Sequence, residues 1–155
     1  MQSYMKSDSR LSSVLHVLLH MIHSDRPLTS EALAGYLCTH PVVVRRTLAG
    51  LRRLGYVDSA KGHGGGWVVR CDPAEVTLRD IYAAVGAPPL LAIGHRTPDP
   101  VCLVEQAVNA ALDDAFQAAE AVVIGRLGSV TLAALAADFG RRLAAHPRGA
   151  TFHAH

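Results

Sequence analysis

The chain has 155 residues, of which 50% are hydrophobic, and a formal net charge of +2. This composition predicts one ordinary globular domain, or a small domain with a helical appendage, and excludes a largely disordered chain. No apolar run reaches the ~18 residues that a membrane span needs, and the N-terminus lacks the pattern of a secretory signal, so we expect a cytoplasmic protein with no membrane partner.

The first third of the chain predicts three short helices. Apolar residues recur at helical spacing over residues 9–24, which indicates a first helix with one buried side. Pro27 then breaks the chain, and Thr29 is a suitable N-cap for a second helix. Residues 38–40 are expected to form a turn. Pro41 follows at the first position of a third helix, where its missing N–H costs nothing.

The third helix has one apolar side and one basic side. Val44, Leu48 and Leu51 recur at spacings of four and three, so they are expected to face the core. A rotation of about 100° per residue then places four arginines away from the core: Arg46 and Arg53 almost opposite it, and Arg45 and Arg52 on one flank. Long guanidinium arms on an exposed side allow a helix to reach base edges in a DNA groove.

A β-hairpin with a glycine-rich tip is predicted next. Residues 56–59 and 67–70 are rich in strand formers, and the tip between them contains four glycines. The tip lacks the Lys-Ser/Thr of a nucleotide-binding loop and leads into a strand, and Trp67 is expected to anchor the hairpin. Residues 39–70 contain six Lys/Arg and one Asp, a net of +5. A helix-turn-helix followed by a basic wing predicts a DNA-binding winged helix.

The second half is predicted to be helical. Thr77 caps a helix that ends at Gly86, and residues 86–100, with four prolines and two glycines, indicate a loop. A long helix is expected from Val101 to near Ile124. It carries two apolar stripes, and two stripes need two partners. The stripe expected on a second subunit contains Val101, Val104, Val108, Ala111, Ala115, Ala118 and Val122, and the stripe expected against the chain's own body contains Leu112, Phe116, Ala119 and Val123.

Charge divides along the chain in the same way. Residues 1–85 carry ten basic and seven acidic side chains, a net of +3, whereas residues 86–155 carry five and six, a net of −1. The predicted fold is mainly α with a small β-hairpin, a winged helix-turn-helix plus a long dimerisation helix. The expected division is a DNA-binding domain over 1–85, a loop over 86–100, dimerisation helices over 101–145, the last beginning at Thr131, and a flexible tail over 146–155.

Three segments resemble the signature of the Rrf-two family of bacterial repressors: LGYVDS at 54–59, KGHGGGW at 61–67 and VTLRDI at 76–81. The match covers roughly residues 9–127. The resemblance implies a homodimer formed by crossed long helices. It also implies binding to an imperfect DNA palindrome, with the recognition helix in the major groove and the wing near the minor groove or phosphates. A signal would be read near the start of the long helix, and the effector is unknown.

The cysteines do not fit an iron–sulfur cluster. Members of the family that hold a cluster have three cysteines close together between the fourth and fifth helices, and this chain has only Cys102 there. A cluster needs about four ligands. The spacings of Cys38, Cys71 and Cys102 also fit neither a disulfide framework nor a zinc knuckle. We therefore expect reduced thiols, no cofactor and a place in the cluster-free branch of the family.

Two groups of residues are candidates for sensing. Residues 98–100 lead directly into the long helix and are expected to place Cys102 in its first turn, where the helix dipole favours a thiolate. A redox-active thiol and a small buried residue are both compatible with that position. His16, His20 and His23 lie together on the polar side of the first helix. A solvated surface and a metal site are the alternatives, and no metal is assigned.

The leading hypothesis is a homodimeric transcriptional repressor that binds palindromic operators and is not an enzyme. The alternatives are a winged-helix adaptor for proteins, a thiol- or metal-responsive sensor, and a thiol enzyme using Cys102 with His95 as base, for which no orienting acid is evident. The expected DNA-binding residues are Thr39, His40, Val43, Arg45, Arg46, Arg52, Arg53, Lys61 and His63. The expected dimer interface contains Val104, Val108, Ala111, Ala115 and Val122.

Overall fold

The computed structural model describes residues 8–91, 93–95 and 97–146. Within these ranges the chain forms six helices and one antiparallel pair of strands. In chain order they are α1 (Arg10–Ile22), α2 (Ser30–Leu37), α3 (Pro41–Arg53), β1 (Val57–Ala60), β2 (Gly66–Val69), α4 (Leu78–Ala84), α5 (Leu103–Gly128) and α6 (Leu132–Ala145). The prediction of a winged helix-turn-helix followed by a long helix is confirmed. No helix in the described part is long and apolar enough to cross a membrane.

One hydrophobic core joins α1, the helix-turn-helix, α4 and the start of α6. Its centre contains Leu18, Leu33, Leu48, Ile81 and Leu132, each 1% exposed or less. The stripe predicted on α3 is confirmed, since its buried residues are Val44, Leu48 and Leu51. The buried side of α3 fixes the rotation of this helix, and its arginine side therefore faces outward.

The helix-turn-helix is shaped by two local features. The Thr29 hydroxyl accepts a hydrogen bond from the backbone N–H of Ala32, as predicted for an N-cap. Cys38 ends α2 in the left-handed conformation, with φ 51°, which few residues other than glycine adopt readily. The chain thereby reverses within three residues, and Pro41 starts α3 at its first turn.

The wing is attached to the helix-turn-helix by the main chain. Leu28, just before α2, exchanges two backbone hydrogen bonds with Trp67 in β2: the Trp67 N–H donates to the Leu28 oxygen at 2.8 Å, and the Leu28 N–H donates to the Trp67 oxygen at 3.1 Å. The Trp67 indole Nε1 also donates to the hydroxyl of Ser30 at 3.0 Å. Ser30 is the buried polar side chain of the described core. Trp67 is therefore a packing anchor for the wing.

Helices α4 and α6 pack against the same core. Thr77 and Asp80 form a capping box at the start of α4, which holds the pKa of the Asp80 carboxyl below its usual value because the Thr77 backbone N–H and hydroxyl donate to it. Thr77 also pairs with Thr131, just before α6. Leu132 at the start of α6 is fully buried, so α6 contributes to the same core.

The long helix differs from the prediction in its limits and its packing. It begins at Leu103, two residues after the predicted start near Val101, and the Gln106 N–H donates to the carbonyl of Cys102, its N-cap residue. It extends to Gly128. No described residue of α5 is fully buried. The second stripe was expected to pack internally, but Leu112 is 37% exposed and Val123 40%.

We predict that Gly66→Ala destabilises the protein because it forces the wing away from the helix-turn-helix. A Cβ at this position would lie 2.6 Å from the carbonyl oxygen of Leu28, and backbone cannot yield cheaply. The expected loss in the free energy of unfolding is about 1–3 kcal/mol, measured by urea unfolding with circular dichroism.

The matched control is Gly35→Ala in α2. A Cβ there meets no atom within 4 Å, so removal of glycine from a helix should raise stability by about 0.5–1 kcal/mol. Equal stability of the Gly66→Ala variant and the wild type would contradict the attachment described here.

Candidate nucleic-acid interface

The outward side of α3 presents two arginines without a carboxylate partner. Arg46 and Arg53 are exposed and form no ion pair among the described residues. Beside them, the side chains of Val42 and Val43 are 55% and 50% exposed. Free guanidinium groups next to apolar side chains match the donor and methyl-contact chemistry that reads base edges in a major groove.

The flanking arginines are instead held by acids within the chain. Arg45 lies 3.1 Å from Glu31 on α2, and Arg52 lies 3.1 Å from Asp58 on β1. Arg70 approaches the same Asp58 at 3.9 Å. Each of these side chains is at least about one-third exposed, and pairs of this kind are worth about 0–1 kcal/mol. A phosphate can therefore replace the carboxylate at little cost.

The remaining predicted DNA contacts lie at the two ends of this surface. His40 is the exposed N-cap of α3, and Thr39 precedes it in the turn. Lys61 and His63 are exposed on the loop that joins the two strands of the wing. The structure thus places the nine predicted residues on α3, on the turn before it and on the wing loop.

Sequence reasoning missed two residues of this region. Val42 shares the outward side of α3 with Arg46, and the helical projection alone would have found it. Leu28 was not assigned any role, because a single bridge residue between a proline and a helix carries no periodic signal. Leu28 matters because its bridge to Trp67 sets the position of the wing loop.

The stripe predicted to face a second subunit is open in the single chain. Val104, Val108 and Val122 are 72%, 51% and 67% exposed, and Ala111 and Ala115 are exposed as well. The preceding loop lies along the N-terminal half of α5, since the Asn109 amide donates to the carbonyl of Thr97 at 3.0 Å. Exposed apolar side chains along one side of a helix, such as these valines and alanines, usually mark an interaction site.

Cys102 is the N-cap residue of α5, not a residue of its first turn as predicted. Its side chain makes no capping hydrogen bond, but the backbone N–H groups of Glu105 and Val104 at the helix start hold the pKa of the thiol below its usual value. Burial has the opposite effect on Cys71, whose thiol pKa is raised. The N-terminal end of a helix thus stabilises the Cys102 thiolate.

The described residues do not offer a complete donor set for a metal. No group of three or more His, Cys, Asp or Glu in this part of the chain could hold a metal ion. Cys102 alone lies at the start of α5, so the residues do not fit an iron–sulfur cluster held by one chain. His16 and His20 approach each other with their Nε2 atoms 3.0 Å apart. His20 also stacks on Tyr36 of α2, so these histidines join helices.

This arrangement defines a winged-helix DNA-binding regulator, and the comparisons agree. The family model of Rrf2, described as an iron-dependent transcriptional regulator, matches residues 7–138. YwnA of Bacillus subtilis (strain 168), described as an HTH-type transcriptional regulator, is 33% identical over 125 residues, which are 81% of this chain and 92% of YwnA. The chain belongs to the Rrf2 family of transcriptional regulators and is not an enzyme.

Solved structures show the same fold. A crystal structure of a transcriptional regulator from Lactobacillus plantarum has a TM-score of 0.68 and 26% identity, covering 85% of this chain and 90% of that one. IscR of T. potens has a TM-score of 0.66 and 16% identity, covering 90% of this chain and 91% of that chain. The similarity to IscR concerns the fold alone.

We predict that Cys102 reacts with iodoacetamide at lower pH than Cys71. Only the thiolate displaces iodide, and the helix start lowers the pKa of Cys102 whereas burial raises that of Cys71. The rate of modification at each cysteine, followed by peptide mass spectrometry across a pH series, should therefore rise first at Cys102. The same series in concentrated guanidinium is the control, since unfolding removes both environments. A pH midpoint for Cys71 at or below that of Cys102 in the folded protein would be the contrary result.

Proposed function

We propose that this regulator is a homodimeric repressor that binds palindromic operators and carries no iron–sulfur cluster. The observation that carries the proposal is the division of the α3 arginines into two kinds. Arg46 and Arg53 point outward with no carboxylate partner in the described part of the chain, whereas Arg45 and Arg52 have weak, exposed partners. The first pair suits base edges, and the second pair suits phosphates, with Lys61 and His63 of the wing following the DNA backbone.

A dimer explains how so short a reader gains specificity. One α3 helix of 13 residues contacts only a few base pairs, and two copies related by twofold symmetry read two half-sites about one DNA turn apart. An operator occupied in this way is closed to other proteins, which is the simplest form of repression. Thr39, His40 and Val43 would complete the contacts at the N-terminal end of the recognition helix.

We predict that Arg46→Ala and Arg53→Ala each weaken binding to the selected DNA sequence by about 1–3 kcal/mol and relax its sequence preference. The DNA would be obtained by selection from random duplexes, and affinities would be measured on selected and scrambled sequences. The matched control is Arg52→Ala on the same helix. It should weaken binding to both sequences alike, because a phosphate contact carries no sequence information. Unchanged affinity and preference in both Arg46→Ala and Arg53→Ala would overturn this assignment.

The exposed stripe of α5 supports the dimer. Its 26 residues make a helix of about 39 Å at 1.5 Å per residue, and Val104, Val108 and Val122 leave its apolar side open to solvent. With Ala111 and Ala115 between these valines, two such helices can approach closely. Burial of this side against a second copy would remove the exposed apolar surface.

We predict that Val108→Glu yields monomers, because it places a charge within an apolar seam where desolvation is costly. Analytical ultracentrifugation measures the effect, and affinity for the full palindrome should fall with it. Ala110→Glu is the control: position 110 is exposed and lies about 200° around the helix from Val108. A Val108→Glu protein that sediments as the wild-type dimer would refute this interface.

Cys102 is the proposed point at which an oxidant acts. Its lowered thiol pKa increases the fraction of thiolate, and its exposed position makes that thiolate accessible. The sulfur attacks one oxygen of hydrogen peroxide as the O–O bond breaks, giving a sulfenic acid and hydroxide. Because Cys102 precedes the proposed dimer helix, the added oxygen would lie next to residues that set the angle between the two recognition helices. The signal would then be transmitted as a change in half-site spacing.

A further inference from the structure

A large cavity lies between the recognition helix and the rest of the protein. Its volume is about 670 Å³, it is open to solvent on one side, and it is lined by the start of α1, the turn after α2, one flank of α3 and the end of α4. The size falls within the roughly 300–1,000 Å³ that small-molecule sites occupy. Three residues of its lining, Thr39, Val43 and Arg46, are also proposed DNA contacts, but that role does not need the space itself.

The lining of the cavity combines apolar side chains with two basic ones. Val14, Val17 and Val44 are core residues that also line it, and Ser13 and Thr47 add hydroxyl groups. Two arginines, Arg10 and Arg46, contribute to the lining, and no Asp or Glu among the described residues does. The charge of this lining is therefore positive.

The two arginines are not equivalent. Arg10 is paired with Asp8 at 2.7 Å and donates to the carbonyl of Val85 at 3.3 Å, which connects α1 to the end of α4. Arg46 forms no ion pair within the described part of the chain. A negatively charged group in the cavity could accept hydrogen bonds from the Arg46 guanidinium. Charge-assisted hydrogen bonds of this kind are among the stronger ones in proteins.

We propose that this cavity binds an organic anion with an apolar body, with its negative group on Arg46 and its body against the valines. The inference rests on the proposed DNA-binding function for its consequence. Because Arg46 is also a proposed base contact, an anion that holds its guanidinium in the cavity removes it from the operator. Ligand and DNA then weaken each other's binding by the same factor.

The test uses 8-anilinonaphthalene-1-sulfonate, an apolar anion whose fluorescence rises on binding, with the full-length protein. Wild type should bind the dye at this cavity. Ser13→Phe fills the cavity from α1 and should weaken dye binding about tenfold or more. Ser12→Phe is the matched control, since Ser12 is exposed on the same helix and does not line the cavity. If Ser13→Phe melts earlier than Ser12→Phe by circular dichroism, Ala84→Phe fills the cavity from the α4 side.

Charge is tested by displacement of the dye. 1-Naphthaleneacetate should displace it, whereas the uncharged 1-naphthaleneethanol should not, and the acetate should also weaken DNA binding by about fivefold or more. If Ser13→Phe and Ala84→Phe bound the dye as well as the wild type does, the proposed site would be overturned. Displacement of the dye by the alcohol as effective as that by the acetate would overturn it as well. Dye binding confined to the monomeric Val108→Glu variant would show that a second copy fills the cavity. A wild-type protein that bound no DNA even in the absence of ligand would count against the proposed function but not against the ligand site.

Discussion

The main-chain bridge between Leu28 and Trp67 is the constraint on which the DNA-binding surface depends. A wing of two four-residue strands buries little surface and would not keep a fixed position alone. Two backbone hydrogen bonds to Leu28 and the indole contact with Ser30 attach it to the start of α2. Gly66 permits this approach because a side chain there would enter the Leu28 backbone. The distance between the wing loop and α3 follows from this attachment.

The charge of the surface is arranged so that few interactions are lost when DNA binds. Glu31 and Asp58 hold Arg45 and Arg52 in place while the surface is in water. Exposed pairs of this type contribute about 0–1 kcal/mol, which is less than the gain from releasing counterions at a phosphate. Arg46 is different because it has no such acid and lies beside a cavity. It is the residue through which occupancy of that cavity would reach the DNA.

The sequence predicted local structure well where one residue type has one physical use. Thr29 and Thr77 cap helices as predicted by accepting backbone hydrogen bonds, and the apolar stripe of α3 fixes its orientation. Thr131, predicted as the first residue of the last helix, is its N-cap. The prediction was wrong where tertiary context decides. The second stripe of α5 was predicted to pack internally, but it remains partly exposed because the chain packs against only part of that helix. No pattern along the sequence predicts the cavity, because it lies between four segments that are separate in the chain.

The central claim is that the surface formed by α3 and the wing binds DNA through phosphates and bases, not another protein. Its most direct test is the affinity of the wild-type protein for its selected DNA as a function of salt concentration. With about six phosphate contacts from the two protomers of the proposed dimer, the affinity should fall on the order of a thousandfold between about 50 and 200 mM monovalent salt. Affinity that changes by less than about twofold over that range would contradict the account and favour an adaptor that contacts protein.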